Sequence, residues 1–128
     1  MQAAEIVELV IAAVEAGDFA RLGPHIAPDG VFRGTVGGLE EAMELHGPTA
    51  GIEYFRDVAN TWDEWLFKAE EVHGDGERFV IFWHETSRSR GLEIVNETAT
   101  LLTIRDGQIK ELRGYLDREQ ALEAAGLR

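Results

Sequence analysis

From residue 66 to residue 116 the chain consists of four β-rich runs separated by three turns, each too short to do more than reverse direction. The runs cover 66–73, 78–88, 93–105 and 109–116, with Gly74-Asp75-Gly76, Arg90-Gly91 and Asp106-Gly107 between them. Neighbouring parallel strands need a crossover of a dozen or more residues, so turns this short make the runs antiparallel. Asp106-Gly107 is the clearest turn, because the favoured two-residue hairpins need positive φ and Asp-Gly tolerates it. The centre of the second run, Phe79-Val80-Ile81-Phe82-Trp83, is apolar at consecutive positions, as in a strand covered on both faces. An antiparallel meander of this kind belongs to an α+β domain, not to a doubly wound parallel sheet.

The N-terminal half reads as helices. Residues 3–16 are almost continuously apolar, broken only by Glu5, Glu8 and Glu15, and Ile6, Leu9, Val10, Ala13 and Val14 share one helical face. Gly17 stands where a left-handed cap ends such a helix. Asp18 is placed to cap a second, short helix over 19–26, kinked or shortened by Pro24. Pro28-Asp29-Gly30 signals a turn before a short first strand at 31–33. Residues 34–48 carry four glycines and one possible helical turn at 39–45, and read as a loop or lid. A long helix follows, from residue 49 or 50 to about residue 65, with Ile52, Phe55, Val58 or Ala59, and Trp62 on one face. Asp117 can cap a last helix over 118–125, closed by Gly126. The expectation is one domain over 1–128, without repeats, linkers or low-complexity tracts.

Charge narrows the partners. With 24 acidic and 12 basic residues the formal net charge is −12, a field that repels nucleic acid and anionic lipid. The first residues are acidic where a secretory signal would be basic, and no apolar run approaches the ~18 residues of a membrane span. A cytoplasmic location is therefore expected. The absence of cysteine removes disulfides, thiolate nucleophiles and thiolate metal ligands.

The stretch VIAAVEAGDFARLGPHIAPDGVFRG, the helix GIEYFRDVANTWDEW and the closing TLLTIRDGQIKELRGYLDREQALEAAGL follow one another in an order that resembles the SnoaL-like proteins of the nuclear transport factor 2-like superfamily. The resemblance covers nearly the whole chain apart from 34–47. It implies a cone-shaped fold: a curved antiparallel or mixed sheet with three helices packed in its concave face over a hydrophobic pocket, usually dimeric through the outer sheet face. Members include polyketide cyclases, ketosteroid isomerases, dehydratases, epoxide hydrolases and non-catalytic binding proteins, so the fold selects no function. The isomerase chemistry needs a carboxylate base and two donors to the dienolate oxygen. The corresponding positions hold Val10, Gly34 and Thr100, and steroid isomerisation is not expected.

Alternate strand residues should line the pocket. One parity sends Phe32, Gly34, Val80, Phe82, His84, Thr86, Arg88, Asn96, Thr98, Thr100, Leu102, Leu112, Gly114 and Leu116 inward, facing Phe55, Ala59 and Trp62 of the long helix. A one-residue slip substitutes Trp83, Glu85, Glu97, Leu101, Arg113 and Tyr115. Within the first set His84 is the candidate acid or base, since histidine titrates near neutrality, unless a structural hydrogen bond holds it. Arg88, with Arg90, can take a substrate carboxylate, or pair with Glu85, Glu93 or Glu97. Tyr115 and Asp117 lie where related cyclases place polar groups, although Asp117 also suits the helix cap. Trp62, Trp65, Phe67 and Trp83 either pack the core and a dimer interface or stack against an aromatic ligand. His25, His46, His73 and His84 show no metal-ligand spacing, and Gly34-Thr35-Val36-Gly37-Gly38 lacks the phosphate-loop lysine. No cofactor is expected. The two functions left open are cofactor-independent cyclisation, isomerisation or dehydration of an apolar carbonyl or polyketide-like compound, and non-catalytic ligand binding or dimerisation. The expected partners are a small apolar ligand and a second copy of the chain.

Overall fold

A computed structural model describes residues 1–128. Helix α1 (Ala3–Glu15) and a 3-10 helix (Phe19–His25) lead into strand β1 (Ile26–Val36) and short strand β2 (Glu44–His46). Helix α2 (Pro48–Thr61) is followed by the meander β3 (Glu64–Asp75), β4 (Arg78–Ser89), β5 (Leu92–Arg105) and β6 (Gln108–Tyr115), and helix α3 (Arg118–Ala124) closes the chain. The sheet order is β2-β1-β6-β5-β4-β3. Every neighbouring pair is antiparallel except β1 and β6, which run parallel. The parallel pair is possible because β2, α2 and the strands β3 to β5 lie between them as the crossover. The fold is α+β, with an unclosed, curved, mixed sheet.

The turns act as their residues require. Gly17, at φ +68°, ends α1, and Asp18 N–H reaches back to Ala13 O at 2.9 Å. Ser89 pairs with Leu92 around Arg90 and Gly91, both at positive φ, and Arg105 pairs with Gln108 around Asp106 and Gly107, likewise both positive. These are two-residue hairpins that match the strand twist.

Two apolar cores result. On the inner face Phe79, Ile81 and Trp83 of β4, Leu102 and Ile104 of β5, and Leu112 of β6 meet Ile6, Val7, Val10 and Ala13 of α1 and Leu22 of the 3-10 helix. On the outer face Val80, Phe82, Ala99, Leu101 and Tyr115 pack under Ala121 and Leu122 of α3 and Ala125. Continuous apolarity in β4 thus reflects cover on both sides. Strand β3 bulges between Ala69 and Glu71, and Glu15 Oε2 of α1 accepts the Ala69 N–H at 2.9 Å.

Several local expectations differ from this structure. The first strand runs over eleven residues rather than three, because its partner β6 pairs with it from Ile26 to Val36. No helical turn forms at 39–45; turns and β2 occupy that stretch. Helix α2 stops at Thr61, since Trp62 is already extended and Asp63 N–H bonds Arg88 O at 2.9 Å, drawing the chain into the sheet. The second helix is 3-10, and Asp18 makes no side-chain cap there.

Candidate functional site

Between the inner sheet face and the helices lies a cavity of about 510 Å³, within the usual size range of small-molecule sites. Its floor and walls are aromatic. Phe19 stacks on Phe55 with centroids 5.3 Å apart, Trp65 sits 4.8 Å from Phe67, and Phe67 sits 5.6 Å from Trp83. Phe32 meets Phe55 edge-on at 5.7 Å, and Tyr54 lies 5.9 Å from Phe55. Gly51 of α2 lets the helix come down on the Phe32 ring, where a Cβ would sit 2.6 Å from ring carbons.

One carboxyl group enters this aromatic surround. Glu85 of β4 lines the cavity beside Trp83, with Phe67 opposite it on β3. Its Oε2 accepts the Trp65 indole N–H at 3.1 Å, and its Oε1 accepts the Thr98 hydroxyl at 3.4 Å. Burial raises the Glu85 pKa, since the charged form loses water; the two donated hydrogen bonds oppose that but do not cancel it. Nearby, Trp83 Nε1 donates to Thr100 Oγ1 at 3.0 Å.

A second polar element borders the cavity. The loop after β1 folds back across Gly34, whose N–H bonds Met43 O at 2.8 Å, and Gly38, Leu39, Glu40 and Met43 join the lining. Tyr54 OH donates to Glu40 Oε2 at 2.7 Å, fastening the loop to α2. Burial first, and then the Glu40 carboxylate, pushes the Tyr54 pKa up to about 12. Arg33, which also borders the cavity, pairs its guanidinium with Glu44 and with Glu111.

With this geometry in view, comparison with known proteins places the chain. A family model described as SnoaL-like domain matches residues 7–112. The chain belongs to that SnoaL-like family. Among solved structures, a Xanthomonas campestris protein of unknown function with a cystatin-like fold is 23% identical, with a TM-score of 0.78 over 94% of this chain and 95% of that one. TerC, co-crystallised with polyporic acid, is 20% identical with a TM-score of 0.75, covering 95% of each chain. A Sinorhizobium meliloti protein carrying the provisional name polyketide cyclase is 21% identical, with a TM-score of 0.68 over 86% of this chain and 93% of that one. At these identities the likeness is one of fold. None of the curated proteins matches in sequence. SnoaL-like membership supports a small-molecule binding or cyclase-type function.

The residues expected from the sequence divide between the two faces of this SnoaL-like sheet. Phe32, Phe55, Trp62, Thr100 and Leu112 line the cavity. Tyr115 borders it while packing in the outer cluster with α3. Leu102 is fully buried in the inner core without lining the cavity, and Ala59 of α2 does not reach it, because Tyr54, Phe55 and Val58 form the helix face that does. The inward parity expected for β4 is overturned. Phe82 belongs to the outer core, with the Arg118 guanidinium 4.6 Å above its ring. His84 is on the same outer face, its Nδ1 paired with Glu97 Oε1 at 2.9 Å. Arg88 is exposed and held between Glu64 at 3.2 Å and Glu93 at 3.1 Å. Asp117 caps α3, accepting the Glu119 and Gln120 N–H groups at 2.9 and 3.3 Å.

The physical reason is register. Trp83 pairs with Thr98 and Ile81 with Thr100, so cavity-facing threonines on β5 put odd-numbered residues of β4 inward. Glu85 enters the cavity by this pairing; it stood only in the slipped alternative. Outside, Glu70, His84 and Glu97 bring ligand atoms within 4.8 Å of one another, an arrangement that a metal ion would suit. Arg118 already supplies the positive charge there, 2.5 Å from Glu70 and 2.8 Å from Glu97, and its hydrogen bond is the leading cause of the lowered Glu70 pKa.

Proposed function

We propose that this protein binds an apolar, carbonyl-bearing or polyketide-like small molecule against the aromatic wall, with Glu85 as the proton-transfer group of a cofactor-independent cyclisation, isomerisation or dehydration. The observation that carries the reading is the Glu85 carboxyl: half-buried among Trp65, Phe67 and Trp83, open to a cavity, and shifted upward in pKa. A carboxyl whose pKa is raised holds its proton to higher pH than an ordinary one and is a stronger base when ionised, which suits acid–base catalysis. Thr100 supports the reading from the same face. Its oxygen receives the Trp83 N–H, so its own proton is available for a substrate carbonyl. Family membership and the co-crystal of TerC with polyporic acid agree with a small-molecule site.

The non-catalytic alternative has one observation in its favour. The partners of Glu85 are an indole and a hydroxyl, neither of which titrates at working pH, so no second acid–base group is hydrogen-bonded to it. Deuterium exchange α to the carbonyl of 2-tetralone, followed by NMR in D2O, separates the two. Catalysis predicts exchange above the buffer rate that falls by roughly 10²-fold or more in Glu85→Gln. Equal rates for wild type, variant and buffer would leave a binding protein.

We also propose a homodimer through the outer sheet face. Leu66, Thr86 and Val95 are adjacent across β3, β4 and β5, and Leu66 and Val95 are 44% and 49% exposed. Sedimentation equilibrium at micromolar concentration tests this: a 28 kDa species, about twice the monomer mass, is expected, and a 14.2 kDa monomer would refute it.

A further inference from the structure

We infer that the cavity selects uncharged aromatic ligands that bring their own hydrogen-bond donors, phenols or enols, and rejects carboxylates. The inference rests on the cavity being the ligand site and concerns which chemistry it admits.

Charge comes first. Two carboxyl side chains, Glu85 and Glu40, border the cavity. The one basic residue there, Arg33, has its guanidinium engaged by Glu44 and Glu111. Arg88, which a carboxylate ligand would otherwise seek, is outside and doubly paired. An anionic ligand would therefore meet like charge across a low-dielectric, aromatic gap with no counter-ion, on a chain of net charge −12.

Hydrogen-bond capacity gives the second half. Four side-chain donors at the cavity already have acceptors: Trp65 and Thr98 donate to Glu85, Trp83 donates to Thr100, and Tyr54 donates to Glu40. An ionised carboxylate offers about four acceptor sites, and Glu85 receives two hydrogen bonds. Glu85 is thus left with unmet acceptor capacity, and the donors without an acceptor at the cavity, the Thr100 hydroxyl and the Trp62 indole, suit the oxygen of the same ligand O–H. A ligand O–H pointed at Glu85 satisfies that capacity; an ether or a bare ring leaves it unsatisfied, and a carboxylate adds repulsion. The same contact would place an acidic O–H on the proposed proton-transfer group.

Isothermal titration at pH 7 with four probes sharing one ring system tests this: 2-naphthol, 2-methoxynaphthalene, 2-naphthoate and 2-naphthylmethylammonium. The expected result is 2-naphthol bound at least roughly ten-fold more tightly than the ether and the carboxylate. In Glu85→Gln the preference for 2-naphthol over 2-naphthoate should shrink, because the like charge is removed and a weaker neutral acceptor replaces the carboxylate. Naphthoate binding as well as naphthol would overturn the charge selection and leave the pocket reading standing. Tightest binding of the ammonium would also overturn it, making Glu85 a counter-ion. Failure of all four probes would overturn both the selection and the pocket reading.

Discussion

Trp65 and Glu85 meet diagonally across β3 and β4, with the indole Nε1 donating to the carboxylate Oε2 at 3.1 Å. Directly across the ladder Trp65 faces Ser87 and Phe67 faces Glu85, so the indole reaches over one pair to find the carboxyl. The bulge between Ala69 and Glu71 leaves this pairing untouched, because the register from Glu64 to Ala69 is unbroken. The result is an acid held in place by an aromatic donor, with burial pulling its pKa up and the indole pulling it down.

The pH dependence of stability follows from that balance. Glu85 has a higher pKa folded than its ordinary value of 4.5, so the folded state keeps a proton that the unfolded state has lost. Stability therefore falls as pH rises from the ordinary value through the raised one, and then levels off. Glu85→Gln keeps an acceptor for Trp65 and removes the titration. Urea unfolding should show the variant more stable than wild type at pH 7 and the two converging near pH ~4. A gap that stays constant between those pH values would refute the assignment.

Trp65→Phe keeps the ring and deletes the donor. The hydrogen bond favours the ionised carboxyl, so its loss should raise the Glu85 pKa further, readable by NMR titration of the labelled side chain. It should also cost about 1–2 kcal/mol at pH 7, with a smaller loss once Glu85 is protonated. An unmoved Glu85 titration would show that the indole does not tune it.

Much of this arrangement was legible in the residues, but unevenly. The meander, its turns and the aromatic concentration are local signals, carried by Asp106-Gly107, Arg90-Gly91 and the run from Phe79 to Trp83. The inward parity of β4 was legible too. A two-residue turn at Arg90-Gly91 pairs Ser89 with Leu92, and carrying that pairing onward places Trp83 against Thr98 and Glu85 against Asn96. The parity that the family resemblance implies puts His84 inward instead. The bulges had no such mark. Ile104 pairs with Ile109 but Thr103 with Glu111, a slip that comes from packing across the sheet, as does the bulge that Glu15 of α1 satisfies. The loop over Gly34 depends on contacts with α2, which no local pattern records.

His84 and Asp117 provide a direct check on this division of the faces. His84→Ala removes a surface pair with Glu97 and should leave 2-naphthol affinity and proton exchange unchanged. Asp117→Ala removes the α3 cap and should cost ~1 kcal/mol in urea unfolding, again with binding intact. A loss of either activity in His84→Ala with stability preserved would place the chemistry on the outer face.

Gly34 tests whether the loop over the cavity is held by packing. The strand tolerates a side chain there, since Gly34 does not have a positive φ, but a Cβ would fall on the Glu40 carbonyl. Strand β1 cannot yield, because Phe32 is locked into the inner core; the loop must. Gly34→Ala should therefore fold, lose about 1–3 kcal/mol, and lift the segment that carries Glu40 away from Tyr54. Tyr54 reports the event. Its pKa of about 12 depends on burial and on the Glu40 carboxylate, and both diminish when the loop rises. Spectrophotometric titration should show the Tyr54 transition falling toward the ordinary value of 10.0 in Gly34→Ala. Tyr54→Phe, which drops only the hydrogen bond, should cost ~1 kcal/mol and identify which of the two tyrosine transitions belongs to Tyr54. If Tyr54 in Gly34→Ala titrates as in wild type, the loop has absorbed the methyl group without moving, and its closure over the cavity is not set by the glycine.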